Sequence, residues 1–422
     1  MRVNDTAWEF LFKKYNILAE IEKHGSFKIS AEQIKEIREP RLMTKFDHRV
    51  NLPKLFSDNN LSILPISRGD YIISSFSAYK EFETPASETE RVSIPPHIQS
   101  LIPQFIVSEA IALNCANACG ILADFLEDEA IVSTVNGRMS SGSFDFNIQT
   151  AKGQKSVCVN NSQIEIDAAY EGLEYLSLFE AKRELSDDFL IRQLYYPFRT
   201  WSNKISKPVK TVFLVFTNGV FYLYQYKFDN PKDYNSLRLV KQKNYIISTQ
   251  IKLSDIESIL KTVNIISEPE IAFPQANDMS RIINLMELLF EGSLTKDDIT
   301  AKYAFDERQT NYYTDACRYL GLVDKERNDD GICYNLSKYG HYIFDLDYKQ
   351  RQLSIVTQIL KHKVFNEVLK LHLQHGEMPD NSTIVKIMKI SNLYNVEAES
   401  TFVRRASTIV GWINWILSII EE

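Results

Sequence analysis

A chain of 422 residues is longer than one hydrophobic core usually organises, so several domains are expected. With 44% apolar and 24% charged residues, and only 14 Gly and 13 Pro, the composition excludes a disordered or fibrous class. A formal net charge of −7 excludes a protein that coats polyanions over its whole surface, yet it leaves room for basic clefts on one face.

In chain order, residues 1 to about 40 read as helices: Trp8, Phe10, Leu11 and Tyr15 fall at helical spacing, Ser30 to Gln33 has the form of a capping box, and Pro40 closes the section. From Arg41 to Phe82 the apolar stretches shorten (LSILPIS, YIISSF) and are broken by Pro53, Pro65 and Gly69, which predicts strands and ordered loops. Polar TPASETERVSIPP is a connection. A long, mostly buried helix is expected over 104–127, through Phe105, Ile111, Leu113, Ile121 and Phe125. Strands follow in SFDFNI, IEIDAAY and LEYLSLFEAK, then an amphipathic helix begun by Ser186. VFLVFTNGVFYLYQYKF is a hairpin turning at Asn218-Gly219.

Beyond SEPEIAFPQAND come a helix (IINLMELLF), a short helix opened by Thr295, a third from Asp306 to Leu320, and a hairpin with Gly331 in its tip. That order is the order of a winged helix-turn-helix. Residues 350–422 read as helical, ending in a long helix from about Ser400, with Trp412 and Trp415 expected in the core. Four segments result: a recognition module over 1–97, an α/β core over 98–270, the winged unit over 278–346 and a helical domain over 350–422.

The N-terminus MRVNDTAWEF carries Asp5 and lacks the apolar core of a secretory signal. The run TIVGWINWILSII is interrupted by Asn414 and is shorter than the roughly 20 residues of a membrane span, so a cytoplasmic protein without a membrane partner is expected. Cys115, Cys119, Cys158, Cys317 and Cys333 form no CxxC pair, which favours reduced thiols over disulfides or structural zinc. The seven histidines show no HExxH spacing, no Walker-type glycine loop is found, and no G-x-S-x-G elbow is present.

The chemistry concentrates in IEIDAAYEGLEYLSLFEAKRE. Strand period puts Glu165 and Asp167 on one face, with Ile164 and Ile166 on the other. Glu180 and Lys182 repeat the device on the next strand, and a turn near Gly172 brings that face beside Asp167. Phosphodiester hydrolysis calls for a hard cation held by oxygen ligands and for a fixed positive charge near the phosphorane. Asp167 and Glu180 are the expected ligands, with the Ala181 carbonyl, and Lys182 supplies the charge.

These residues resemble the PD-(D/E)XK nuclease superfamily, with Asp167 as the first acid and Glu180-Ala181-Lys182 as the E-x-K half. The proline usual before the aspartate is replaced by Ile166. The resemblance implies a restriction-endonuclease-like α/β (α+β) core and a further acid on the preceding helix, for which Glu109 is the candidate. Arg192 and Gln193 are implied at the rim of the site. With NGRMSSGSFDF, LGLVDKER and RRASTIVGWINWI, the chain is similar to multidomain type II restriction endonucleases. That similarity implies double-stranded DNA as substrate and Mg²⁺ as cofactor, with Mn²⁺ as substitute. A homodimer and a cognate DNA methyltransferase in a restriction-modification system are also implied.

Candidate DNA contacts are Arg41, Lys45, His48 and Arg49 in EPRLMTKFDHRVNLP, Arg68 in ISRGDY and Arg138 in NGRMSSGSFDF. In the C-terminal half they are Arg308 on the recognition helix, beside Gln309, Asn311, Tyr312 and Arg318, together with Arg404 and Arg405. The acidic tip ERNDDG would repel phosphate. Two other functions stay open on these residues: a non-catalytic winged-helix DNA-binding regulator, and a structure-directed nuclease of repair or defence.

Overall fold

The structure, a computed structural model, describes residues 3–84, 88–102, 106–247, 250–303, 305, 307–328 and 331–420. Its contacts cluster into two compact units. The first comprises Met1–Glu90, Ser108–Phe216 and Phe221–Tyr245; the second comprises Arg91–Val107, Thr217–Val220 and Ile246–Glu422. The architecture is mixed α/β.

The first unit opens with α1 (Val3–Lys14) and α2 (Ile17–His24), then a strand the helical reading did not contain, β1 (Ser26–Ser30). Ser30 caps α3 (Ala31–Lys35) through the expected box, with Gln33 N donating to Ser30 Oγ at 3.2 Å and Ser30 N to Gln33 Oε1 at 2.8 Å. Pro40 opens α4 (Pro40–Thr44) rather than closing the section, because at the first helical position its missing N–H costs no hydrogen bond. A 3₁₀ turn (Arg49–Asn51), α5 (Lys54–Asp58), β2 (Ser62–Pro65) and β3 (Asp70–Ser74) follow, with the strands ordered β1-β3-β2. Trp8 sits under this layer, packed edge-on against Phe12 and Phe56, its Nε1 donating to Met43 O at 3.0 Å.

After β4 (Tyr79–Glu81) and β5 (Thr89–Arg91), the single helix expected over 104–127 is two, α6 (Glu109–Ala118) and α7 (Ile121–Leu126). Gly120 divides them at a φ of 76°, a left-handed turn that ends one helix and redirects the next. Phe105 lies outside the described residues. The chain continues through β6 (Val132–Ser140), β7 (Ser143–Thr150), β8 (Gly153–Asn160), β9 (Gln163–Glu171), β10 (Leu176–Lys182) and β11 (Asp188–Leu190). It then forms α8 (Arg192–Ser202), β12 (Val209–Thr217), β13 (Val220–Phe228) and β14 (Leu237–Ile246). The helix expected from Ser186 therefore begins six residues later. Phe189 is buried against Phe82, Phe213 and Tyr226, and Asp188–Leu190 stays extended to pair with β4.

Seven strands form one sheet, ordered β5-β14-β13-β12-β10-β9-β6. The β12–β13 hairpin turns at Asn218 and Gly219, both at positive φ, as expected. Strand β10 is antiparallel to β9 and parallel to β12, so the chain must cross over between them, and it does so through β11 and α8. That change of direction lies beside the C-terminal end of β10, where Glu180 and Lys182 stand.

The second unit contains α9 (Leu253–Thr262), α10 (Met279–Glu291), β15 (Leu294–Thr295), α11 (Lys296–Lys302), α12 (Glu307–Tyr319), β16 (Val323–Asn328) and β17 (Gly331–Leu336). Its small sheet is ordered β15-β17-β16. Asp306, Asp329 and Asp330, part of the expected helix start and acidic tip, lie outside the described residues. Helices α13 (Lys338–Phe344), α14 (Tyr348–Leu360), α15 (Lys363–His375), α16 (Asn381–Lys389) and α17 (Glu399–Ser418) complete it. Asp278, Thr295, Ser337, Asp347 and Asp380 cap their helices with side-chain acceptors, and of these the Thr295 start is the one expected from sequence. Trp412 is in the core, its Nε1 bonded to Ala276 O at 2.8 Å. No described helix is long and apolar enough to cross a membrane.

In α13, a Cβ on Gly340 would lie 2.3 Å from Leu322 O, a backbone atom that cannot swing aside. Gly340→Ala should lower unfolding stability by about 1–3 kcal/mol in a urea titration, and an unchanged midpoint would show that this contact is not tight.

Candidate active site

The edge between β9 and β10 is where sequence and geometry meet. Their ladder runs from Leu176↔Glu171 to Phe179↔Ala168. One residue further, Asp167 turns its carboxylate to the neighbouring strand, and Oδ2 accepts from Ala181 N at 2.8 Å. The side chain thus takes the donor that the ladder no longer pairs. Ile164 and Ile166 are buried on the opposite face, as strand alternation requires, and Ile166 fills the core at the place where proline was expected.

Glu180 is only 8% exposed. Its Oε1 accepts from Lys182 Nζ at 2.5 Å and from Gln193 Nε2, at the start of α8, at 2.7 Å. Lys182 Nζ also donates to Ala181 O at 3.0 Å and lies 3.7 Å from Glu109 Oε1, at the start of α6. The structure therefore brings together Asp167, Glu180, Lys182, Glu109 and Gln193 from two strands and two helices. Each was expected from sequence.

The electrostatics follow from this packing. Burial raises the Glu180 carboxyl to about 7; the Lys182 ammonium opposes that shift, while Asp167 and Glu109 add to it. Glu109 is raised by burial too, against the pull of Lys182, with Asp167 and Glu184 adding to the rise. Burial alone would lower Lys182, but Glu180, Glu109 and Asp167 together lift it far above its ordinary value, so it stays an ammonium. Glu184 was not singled out from sequence, although the acid two residues past Lys182 was in view.

Among the described residues no three His, Cys, Asp or Glu side chains are gathered as a metal cluster. The oxygens that would receive a cation are of another kind: two carboxylates, Asp167 and Glu180, and the Ala181 carbonyl. All are hard donors suited to Mg²⁺. The Lys182 ammonium rests on two of them, Glu180 Oε1 and Ala181 O.

The remaining predicted residues lie elsewhere. Arg192 is half-buried over the Tyr196 ring at 5.7 Å. Arg138 is exposed and pairs with Glu165 at 3.2 Å. Arg41 and Arg68 are exposed, Lys45 pairs with Asp47, and Arg49 with Glu81, all at the surface. Such exposed pairs are weak and leave these groups available to a ligand. His48 differs from expectation: it is buried, and its Nδ1 meets Asp188 O at 2.7 Å and Asp188 Oδ1 at 3.3 Å, so it ties the N-terminal layer to β11. Arg405 is buried as well, and Arg308 and Arg404 are exposed.

Three family models match successive parts of the chain: domain of unknown function DUF6996 over residues 5–73, DUF6997 over 74–246 and DUF7226 over 281–421. The match over 74–246 contains the whole carboxylate–lysine cluster. None of the curated proteins and none of the solved structures matches the chain.

Burial opposes protonation of His48, but its bonds to Asp188 more than offset that and raise its pKa above 6.5. A histidine raised on folding contributes stability that is complete below its unfolded value and is lost as pH rises through its folded value. The urea stability of the wild type should therefore fall as pH rises above about 6.5, and Asp188→Asn should flatten that slope. Parallel curves for the two proteins would contradict the assignment.

Proposed function

We propose that the chain is a divalent-metal-dependent endonuclease of double-stranded DNA, built on a PD-(D/E)XK core and acting at a defined sequence as type II restriction enzymes do. The observation that carries this reading is the placing of Asp167, Glu180 and Lys182 at one strand end, closed by the Asp167–Ala181 hydrogen bond. The sheet-forming elements α6/α7, β6, β9, β10, α8 and β12, with β12 parallel to β10, follow the helix-strand-strand-strand-helix-strand succession expected of that core and support it, although SFDFNI, read as the first of the three strands, lies in β7 of the separate β7–β8 sheet and β6 takes its place.

Asp167, Glu180 and the Ala181 carbonyl would hold Mg²⁺, or Mn²⁺ in its place, and the cation would polarise a phosphoryl oxygen and neutralise charge developing on it. Lys182, held as an ammonium, orients the attacking water and stabilises the negative charge of the pentavalent phosphorane. Gln193 fixes Glu180 from α8, leaving its second oxygen for ligation. Glu109 sets the ammonium from the other side. Exposed Arg41, Lys45, Arg49, Arg68 and Arg138 supply contacts to phosphate and base edges. A homodimer on a palindromic site would cut both strands, and a cognate methyltransferase would protect the host's own sites.

The order α10-β15-α11-α12-β16-β17 is that of a winged helix-turn-helix, and it favours a second reading, a regulator that binds DNA without cutting it. Purified protein incubated with plasmid and Mg²⁺ separates the two. Discrete fragments are expected. Intact plasmid with retarded mobility would favour the regulator, and a smear would favour a structure-directed nuclease.

Losing either charge of the buried Glu180–Lys182 pair costs about 3–5 kcal/mol, so isosteric variants, which at least keep the packing, are used and each is confirmed folded by its melting transition before its rate is read. Asp167→Asn, Glu180→Gln and Lys182→Met should each slow cleavage by about 10²–10³-fold, whereas Glu174→Ala, exposed at the turn, should cut at the wild-type rate. Full cleavage by Lys182→Met, or by the wild type in EDTA, would refute the mechanism.

A further inference from the structure

The second unit contains a 410 Å³ groove between the N-terminal half of α12 and the N-terminal half of α17, which bring Arg308 and Tyr312 to one wall and Arg404 and Arg405 to the other. Gln275, Asn277, Gln309, Ser407 and Thr408 complete its polar lining, with the Gln275 amide oxygen turned to accept from Arg405, and among the described residues no carboxylate faces it. Elsewhere in the chain arginines commonly meet acids: Arg138 with Glu165, Arg238 with Asp229, Arg318 with Asp315, Arg351 with Glu287. Among the described residues the three groove arginines have no ion pair.

Arg405 is the anchor of the cluster. It is 7% exposed, donates from Nη1 to Phe273 O at 2.7 Å, and leaves a buried Nε without an acceptor. Burial and the neighbouring Arg404 lower its pKa to about 10, while Tyr312 pulls the other way. Arg308 lies over the Tyr312 ring at 5.4 Å from its centroid and donates to the Tyr312 hydroxyl, so its guanidinium is held in place before any ligand arrives. Gathering three guanidinium groups in a concavity is unfavourable unless an anion shares it. Planar forks of this kind suit phosphate, which accepts from several at once.

We propose that this groove binds a small phosphate ester of nucleotide size, with Arg308, Arg404 and Arg405 on its phosphate and Tyr312, Asn277 and Ser407 beside its organic part. The volume lies within the range of small-ligand pockets, about 300–1,000 Å³, and a concave wall suits a free ester better than the convex backbone of a duplex. The site belongs to the second unit and does not rest on the nuclease reading. It would make the chain responsive to a phosphorylated metabolite.

Calorimetry on the full-length protein at low salt tests this with AMP, adenosine, inorganic phosphate and a DNA duplex as probes. AMP should bind, inorganic phosphate should compete with it, and adenosine should give no heat. The double variant Arg308→Ala/Arg404→Ala, which changes only exposed side chains, should keep the wild-type melting temperature and weaken AMP by about tenfold or more. Silence of both AMP and phosphate, or wild-type affinity in the double variant, would overturn the proposal. So would binding of the duplex with AMP silent, which would assign the groove to nucleic-acid backbone.

Discussion

The first unit depends on one arrangement of charge: the Glu180 carboxyl is taken out of water at the end of a central strand, and Lys182 and Gln193 meet it on the same oxygen. A buried acid is tolerated only when its neighbours repay the lost hydration. Here the repayment comes from three elements. Strand β10 supplies the lysine, α8 the glutamine, and β9 the aspartate that anchors the strand end through Ala181 N. The crossover from β10 to β12 has to pass through α8, so the topology of the sheet and the geometry of the cluster are set by the same residues.

That cluster was legible in the sequence because strand alternation is an exact period. Ile164 and Ile166 inward put Glu165 and Asp167 outward, and the turn at Gly172 folds Glu180 back toward Asp167 without further information. Helix starts were legible where a side chain caps them, as at Ser30 and Thr295. What could not be read were choices made by tertiary contacts. Phe189 leaves a helical pattern because aromatic neighbours from β12 and β13 bury it in an extended segment. His48 reads as a surface cation until Asp188, 140 residues away, takes its Nδ1. Gly120 looks tolerable inside a helix, and only its left-handed backbone shows the break.

Net charge was a poor guide to local potential. A chain of −7 overall still concentrates three arginines around one groove of its second unit, and its first unit holds an ammonium among three carboxylates. Both sites are defined by which charges lack the partner that similar residues find elsewhere in the chain. Among the described residues the groove has cations without acids. The strand end has acids that share a single cation, and oxygens of the kind a divalent ion seeks.

Asp167, Glu180 and the Ala181 carbonyl are the proposed site for a divalent ion. Titration with Mn²⁺, followed by the loss of its free paramagnetic signal, measures this without any DNA. One site per chain is expected in the wild type, lost in Asp167→Asn and Glu180→Gln and kept in Glu165→Gln. A wild type that takes up no Mn²⁺, or that binds it equally in all four proteins, would contradict it.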